Sequence, residues 1–186
     1  MRVVAGEFRS RQLKTPTWEG LRPTSDRLRE TLFNVLGASV IGARVLDGYA
    51  GTGAIGIEAL SRGAAHVTFV EHDPRAVRLI EENLARVLSA TPADGERYAI
   101  IRAGFADAAG RGLGGFEIVV LDPPYSEQAV GDALDAAARI AGPATRLVIE
   151  HAKRYTPPAV RAGLRLLRTV VSGDSALSLF GAADER

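Results

Sequence analysis

The chain has 186 residues, 46% apolar and 24% charged, which suits one globular domain with its own core and leaves no room for a second of full size. There is no cysteine, which excludes disulfides, iron–sulfur clusters and zinc–thiolate sites; His66, His72 and His151 do not stand at helical ligand spacing, so no metal is expected. The net charge of +1 does not by itself announce a nucleic-acid partner, no apolar run approaches the roughly 18 residues of a membrane span, and Met1-Arg2-Val3-Val4 lacks a signal-peptide core, so a cytoplasmic protein without membrane contact is expected.

The charge is uneven along the chain. Residues 1–30 hold seven basic side chains (Arg2, Arg9, Arg11, Lys14, Arg22, Arg27, Arg29) against four acidic ones (Glu7, Glu19, Asp26, Glu30), a local net of +3. Val3–Ala5 and Gln12–Lys14 flank the turn-like segment Gly6–Arg11, which predicts a short basic hairpin outside the main fold, followed by a loop from Pro16 to Pro23. The extension spans residues 1–23 and the main domain 24–186, and deleting residues 1–20 is expected to leave a folded domain. Thr24-Ser25-Asp26 offers side-chain oxygens to cap a helix that carries Leu28, Leu32, Val35 and Leu36 at helical spacing and ends at Gly37.

From Ala43 onward, apolar strand-like runs alternate with amphipathic helical stretches, the pattern of an α/β domain with a mainly parallel sheet. Strands are predicted at Arg44–Asp47, His66–Glu71, Tyr98–Arg102, Ile118–Leu121 and Arg146–Glu150, with helices at Ile55–Ser61, Pro74–Leu88, Phe105–Ala109 and Gln128–Ala141 between them. The charges on the second of these helices read as an ordinary solvated face. After Pro157-Pro158 comes a short helical turn. Leu164–Val171 and Ala176–Phe180 are then two strands whose brief connection, Ser172-Gly173-Asp174, requires them to run antiparallel.

Two motifs carry chemistry. Asp47 closes the first strand and leads into Gly48-Tyr49-Ala50-Gly51-Thr52-Gly53-Ala54-Ile55-Gly56, a Gly-x-Gly-x-x-Gly turn in the strand–turn–helix setting of a nucleotide site. Glu71 ends the next strand, where a carboxylate can accept from two ribose hydroxyls. An acid in this loop repels a pyrophosphate and suits a methionine ammonium, so Asp47 favours S-adenosylmethionine over a dinucleotide. Ile118–Leu121 runs into Asp122-Pro123-Pro124-Tyr125 at the same sheet edge. The tetrad is similar to a motif of amino-methyltransferases, whose target, such as a base amino group, delocalises its lone pair into the ring and becomes nucleophilic when acceptors hold its N–H groups in a more tetrahedral geometry. Asp122 and the Pro123 carbonyl can do this, the prolines remove competing donors, and Tyr125 offers a ring on which a flipped base stacks. His151, at the end of the fifth strand, reads as a hydrogen-bonded structural histidine.

Asp47-x-x-Ala50-Gly51-Thr52-Gly53 is similar to the first motif of class I methyltransferases, and the tetrad resembles the Asp/Asn-Pro-Pro-Tyr/Phe motif of amino-methyltransferases. With the opening Met1–Gly6, Arg22-Pro23-Thr24-Ser25-Asp26-Arg27 running to Asn34, Glu58–Ala64 and the closing Ala176–Phe180, nearly the whole chain resembles the RsmD family of bacterial 16S rRNA guanine-N2 methyltransferases. The resemblance implies a Rossmann-like class I fold with an amino-terminal hairpin and an antiparallel last strand, acting as a monomer on 16S rRNA of the 30S subunit or a late assembly intermediate. It implies that Asp26, Asp47, Ala50, Gly51, Thr52, Gly53, Glu71, Phe105 and Asp122 hold S-adenosylmethionine and that Asp122, Pro123, Pro124 and Tyr125 hold the guanine. Arg2, Arg9, Arg11, Lys14, Arg22 and Arg27 would then grip RNA. Two departures stand out: Ala103-Gly104-Phe105-Ala106 where the family commonly has an acid for the adenine amine, leaving backbone or Asp107, and Gly173-Asp174-Ser175 in place of Gly-Lys-Thr. The open alternatives are an adenine-N6 methyltransferase, a non-catalytic ribosome-assembly factor and a nicotinamide oxidoreductase; the last is disfavoured by Asp47 and the tetrad.

Overall fold

The computed structural model describes residues 1–21, 24–88 and 96–183, so Arg22 lies outside the described residues. Helix α1 (Asp26–Leu36) starts where the sequence places it, with the Ser25 hydroxyl accepting from the Leu28 amide at 3.1 Å. A 3-10 turn, Gly37–Val40, continues beyond Gly37, which was expected only as a stop. Then follow β1 (Arg44–Asp47), α2 (Ala54–Ser61), β2 (His66–Glu71), α3 (Pro74–Val87), β3 (Tyr98–Arg102), α4 (Phe105–Gly110), β4 (Ile118–Leu121), α5 (Glu127–Ala138) and β5 (Arg146–Ala152). The predicted bounds of β1 to β4 match residue for residue.

After Pro158 the expected helical turn is instead a two-residue strand, β6 (Val160–Arg161), paired with β7 (Leu164–Ser172). The reason is local: Ala162 and Gly163 both have positive φ, 50° and 80°, the backbone of a tight hairpin turn rather than a helix. β8 (Ser175–Ala182) completes a sheet of order β3-β2-β1-β4-β5-β8-β7-β6. The first five strands run parallel, and β8 is antiparallel to both β5 and β7. The connections out of β1 reverse direction between β2 and β4. A crevice therefore opens at the carboxyl ends of those strands.

Alternate residues of each strand feed two cores. Val45, Val67 and Phe69 pack with α1, α2 and α3, while Leu46, Val70, Val119 and Leu121 pack with α4 and α5. The amino-terminal segment does not stand outside this arrangement. It forms a hairpin-like turn, with Val3 donating to the Arg11 carbonyl and Ser10 to that of Val3, but Val3, Phe8 and Leu13 are buried in the same core as α1 and α2. Its anchor is Glu58 on α2, fully buried, whose carboxylate accepts from the amides of Val4 (2.7 Å) and Ala5 (3.0 Å) and from Arg62 Nε (2.8 Å). One turn on, the Ser61 hydroxyl accepts from the Phe8 amide and donates to the Ala5 carbonyl. Gly6 crosses here so closely that a Cβ would sit 1.9 Å from the Ser61 carbonyl oxygen, and its φ of 85° disfavours any side chain.

The charged face expected on α3 is the second half of this dock. Asn83, fully buried, accepts from the Lys14 amide at 2.7 Å and donates to the Lys14 carbonyl; Lys14 Nζ meets Glu82, and Arg11 donates to the Val87 carbonyl at the end of the helix. Deleting residues 1–20 therefore removes part of the core rather than an appendage. Glu58→Ala strips two half-buried amides of their acceptor and removes the carboxylate 3.8 Å from the buried Arg29, and it should cost about 3–5 kcal/mol, as for breaking a buried charge network. Denaturant unfolding monitored at equal m-value checks this; a loss below about 1 kcal/mol would make the segment a loosely held arm.

Candidate active site

The glycine loop after β1, the ends of β2, β4 and β5, the start of α1 and the β7–β8 turn open onto one cavity of about 720 Å3. Ala50, Gly51 and Thr52 form its floor. Gly51 has a φ of 53°, and a Cβ there would approach Leu21 to 3.1 Å, so glycine alone keeps this stretch both turned and open. Glu71 accepts from the Gly51 amide at 2.9 Å with one oxygen and from the Asp73 amide at 2.8 Å with the other. A carboxylate has about four acceptor positions, so capacity remains for hydroxyls of a ligand.

Asp47 holds the loop from below. Gly53, the residue before α2, has no side chain to cap the helix; Asp47 supplies the missing acceptor, 3.0 Å from the Gly56 amide. Burial, with a further contribution from Glu71, outweighs that hydrogen bond and pushes the Asp47 carboxyl up from 3.8 to about 7.

On the opposite wall, β4 and β5 pair in register at Leu121 and Ile149, so the next residues, Asp122 and Glu150, fall side by side at the sheet edge. Burial and the Glu150 carboxylate raise Asp122 well above the ordinary carboxylate range, against a weaker opposing bond from the Thr24 hydroxyl at 3.3 Å. The Tyr125 hydroxyl donates to Glu150 Oε1 and lies 3.0 Å from the Ser175 hydroxyl, while the residue lines the cavity and is 48% exposed. Burial and the bond to Glu150 push the phenol up to about 12, so it stays a donor.

With this geometry in hand, comparison with known proteins places the chain. A family model described as conserved hypothetical protein 95 matches residues 1–181. The chain belongs to this family, the RsmD family. It is 35% identical over 182 residues to the ribosomal RNA small subunit methyltransferase D of Escherichia coli (strain K12), covering 97% of this chain and 89% of that one. The protein of the same name from Haemophilus influenzae is 38% identical over 136 residues, 70% of this chain and 68% of that one. Among solved structures, the Escherichia coli protein yhhF superposes with a TM-score of 0.84 at 30% identity, covering 100% of this chain and 99% of that one. An RNA methyltransferase from Salinibacter ruber, in complex with S-adenosyl-L-homocysteine, shares the fold with a TM-score of 0.66 at 16% identity, over 89% of this chain and 96% of that one. The architecture is thus that of class I S-adenosylmethionine-dependent methyltransferases.

In this RsmD-family chain, Ala50, Gly51, Thr52, Glu71, Asp122, Pro123, Pro124, Tyr125 and Arg27 all line the cavity. Asp47 and Gly53 shape the loop from beneath without lining it. Asp26 faces away from it, bonding Arg29 at 2.5 Å and standing 3.9 Å from Arg2, so it ties α1 to the amino-terminal segment. Phe105 is also displaced: it is 3% exposed, packs with Tyr49 at 5.6 Å between ring centres, and serves the second core. Of the candidate RNA contacts, Arg2, Arg11 and Lys14 are engaged within the chain, whereas the exposed Arg9 and Arg27 make no side-chain hydrogen bond or ion pair among the described residues. His151 has the structural role expected of it, its ring nitrogens 2.9 Å from the Ala152 carbonyl and 2.8 Å from the Ser178 hydroxyl.

Sequence reasoning missed Glu150, Thr24 and Trp18. Trp18 lines the cavity and lies under Arg75, whose guanidinium sits 5.2 Å from its ring centre and pairs with Asp73. The available signals were position beside a cap, position at a strand end next to the tetrad, and the chain's single tryptophan in a loop. Gly173-Asp174-Ser175 also joins the wall, with Asp174 paired to Lys153 at 2.8 Å and Ser175 on Tyr125.

Asp47 binds its proton more tightly folded than unfolded, so its contribution to stability is present at low pH, is lost as pH rises from 3.8 to about 7, and is fully lost above that. The loss amounts to roughly 4 kcal/mol. Asp47→Asn keeps an oxygen for the Gly56 amide and removes the charge. The variant's Tm relative to wild type should rise by several degrees between pH 4 and 7 and stay level above, measured by thermal scans without ligand; a difference independent of pH would contradict the assignment.

Proposed function

We propose that the protein transfers a methyl group from S-adenosylmethionine to the exocyclic N2 amine of a guanine in 16S rRNA, presented by the 30S subunit or a late assembly intermediate. The observation that carries this reading is the shared cavity of the glycine loop, Glu71 and the Asp122–Tyr125 tetrad. The names of the relatives support ribosomal RNA as the substrate. The donor fits the cavity: Glu71 has acceptor capacity for ribose hydroxyls, and the small residues Ala50 and Gly51 leave room beside it. In this reading the protein works as a cytoplasmic monomer without metal, and residues 1–23 form the RNA-facing part against the 24–186 domain. Among the described candidate contacts, Arg9 and Arg27 have charges not engaged within the chain and can meet phosphate.

When bound, S-adenosylmethionine supplies a methyl group on a sulfonium, which leaves as a neutral thioether as the carbon–nitrogen bond forms. The chain's own work is positional. Tyr125 presents a ring face to a base that has left its stack, and the Pro123 carbonyl and Asp122 accept from the two N–H groups of the target amine, freeing its lone pair from the ring. The methylated nitrogen carries an extra proton, which Asp122 can take, directly or through water. Its raised pKa makes the ionised form a better proton acceptor than an ordinary carboxylate.

Labelled-donor assays on 30S subunits lacking the modification, followed by mapping of the modified nucleotide, test the proposal. Label is expected on guanine N2, and faster on subunits than on protein-free 16S RNA, because so small a chain reads a displayed structure better than a long sequence. Label recovered as N6-methyladenine would overturn the base assignment. Asp122→Ala should lower kcat about 100-fold or more with donor affinity nearly intact. Because Asp122 must be ionised to accept, kcat/KM should fall with decreasing pH along a limb centred above the ordinary carboxylate range; a limb near pH 4 would exclude Asp122 as its source.

A further inference from the structure

The tetrad supplies one acidic side chain to its wall of the cavity, yet a second stands directly beside it. Glu150 comes from β5, outside the tetrad, and the parallel register of β4 and β5 sets it beside Asp122. It lines the same cavity. It is 4% exposed, and the Tyr125 hydroxyl fixes one of its oxygens, so it is an oriented group rather than a mobile surface acid. Two neighbouring carboxylates of low exposure tolerate one another while a proton lies between them; in the catalytic form, where Asp122 must be ionised, a ligand that brings a donor to each takes over that role.

We propose that Glu150 is a specificity-determining residue that accepts the ring N1–H of the target guanine while Asp122 accepts from the adjacent N2 amine. This inference rests on the guanine reading of the preceding section and gives it a physical cause. Guanine presents two adjacent donors, N1–H and N2–H, to two adjacent acceptors. Adenine presents one donor, N6–H, beside the N1 lone pair, which would face the Glu150 carboxylate with no proton between them. With Asp122 ionised, as its acceptor role requires, no proton is left between the two acids to reach the adenine N1 lone pair, and a carboxylate can only accept, so rotating the side chain does not repair the mismatch. A buried acceptor left without its partner rejects the wrong base far more strongly than a loss of apolar contact would. The tetrad itself tolerates either purine amine, and the second acid supplies the discrimination.

The test uses 2-aminopurine, which retains the N2 amine and lacks the N1 proton. Subunits are reconstituted with either guanine or 2-aminopurine at the mapped nucleotide, and initial rates of methyl transfer are compared. Wild-type protein should favour guanine by about 100-fold or more. Glu150→Gln keeps an oxygen for Tyr125 and gains an amide donor for the N1 lone pair, so its preference should shrink to about tenfold or less. Tyr125→Phe, which removes the hydroxyl and leaves the carboxylate, should retain the preference whatever its rate. Donor affinity, measured by calorimetry, verifies that each variant is folded. Equal slowing of both substrates by Glu150→Gln would reduce Glu150 to a support for Tyr125 and overturn the inference, as would equal wild-type rates on the two bases. Either result leaves guanine methylation standing, whereas transfer to adenine by the wild type would overturn both readings.

Discussion

Four carboxylates share one edge of the sheet: Asp47 at the end of β1, Glu71 at the end of β2, Asp122 directly after β4 and Glu150 in β5. Like charges of low exposure are costly, and the surrounding structure can be read as the set of donors that makes their coexistence tolerable. Gly56 serves Asp47, Gly51 and Asp73 serve Glu71, Thr24 serves Asp122 and Tyr125 serves Glu150. Each donor also fixes a wall of the cavity. The glycine loop is held in its open form by the acids on either side of it, and the base platform is held by the last of them. What remains uncompensated is acceptor capacity, and it faces the cavity where a cationic donor and an amine-bearing base are proposed to bind.

The same arrangement makes α1 part of the site. Thr24 stands just before the capping Ser25, so the turn that starts the helix also touches Asp122. Arg29, one turn into the helix and fully buried, bonds Asp26 and the Arg2 carbonyl and lies 3.8 Å from Glu58. The amino-terminal segment, α1 and α2 are thereby one block, and its cavity-facing side carries Trp18, Leu21 and Arg27.

The fold was legible because its elements are short and strongly patterned. A strand such as Ile118–Leu121, buried on both faces, reads as an unbroken apolar run, and Ser25 announces its helix by chemistry that works locally. The glycine loop and tetrad were legible for the same reason. Contacts between distant parts of the chain were not. Asp26 and Phe105 were assigned to the donor by likeness to a motif, but packing turned one toward Arg29 and the other into the core. Glu58 and Asn83 look like ordinary helix surface until their amide partners, more than fifty residues away, are known. Glu150 needed the β4–β5 register, a property of two strands together.

The docking of the amino-terminal segment also bears on how the protein is made. The Val4 amide meets Glu58, 54 residues later; Lys14 meets Asn83, 69 later; Arg11 meets Val87, 76 later. Translation delivers the segment well before its partners, so Val3, Phe8 and Leu13 must wait, unburied, until α3 has left the ribosome. That wait is time in which chaperones or neighbouring nascent chains can reach the exposed side chains. Asn83 also donates to the Thr52 carbonyl in the glycine loop. This earlier-made segment is therefore seated by the side chain that also braces the glycine loop, so its late docking and the ordering of the cavity floor share one residue.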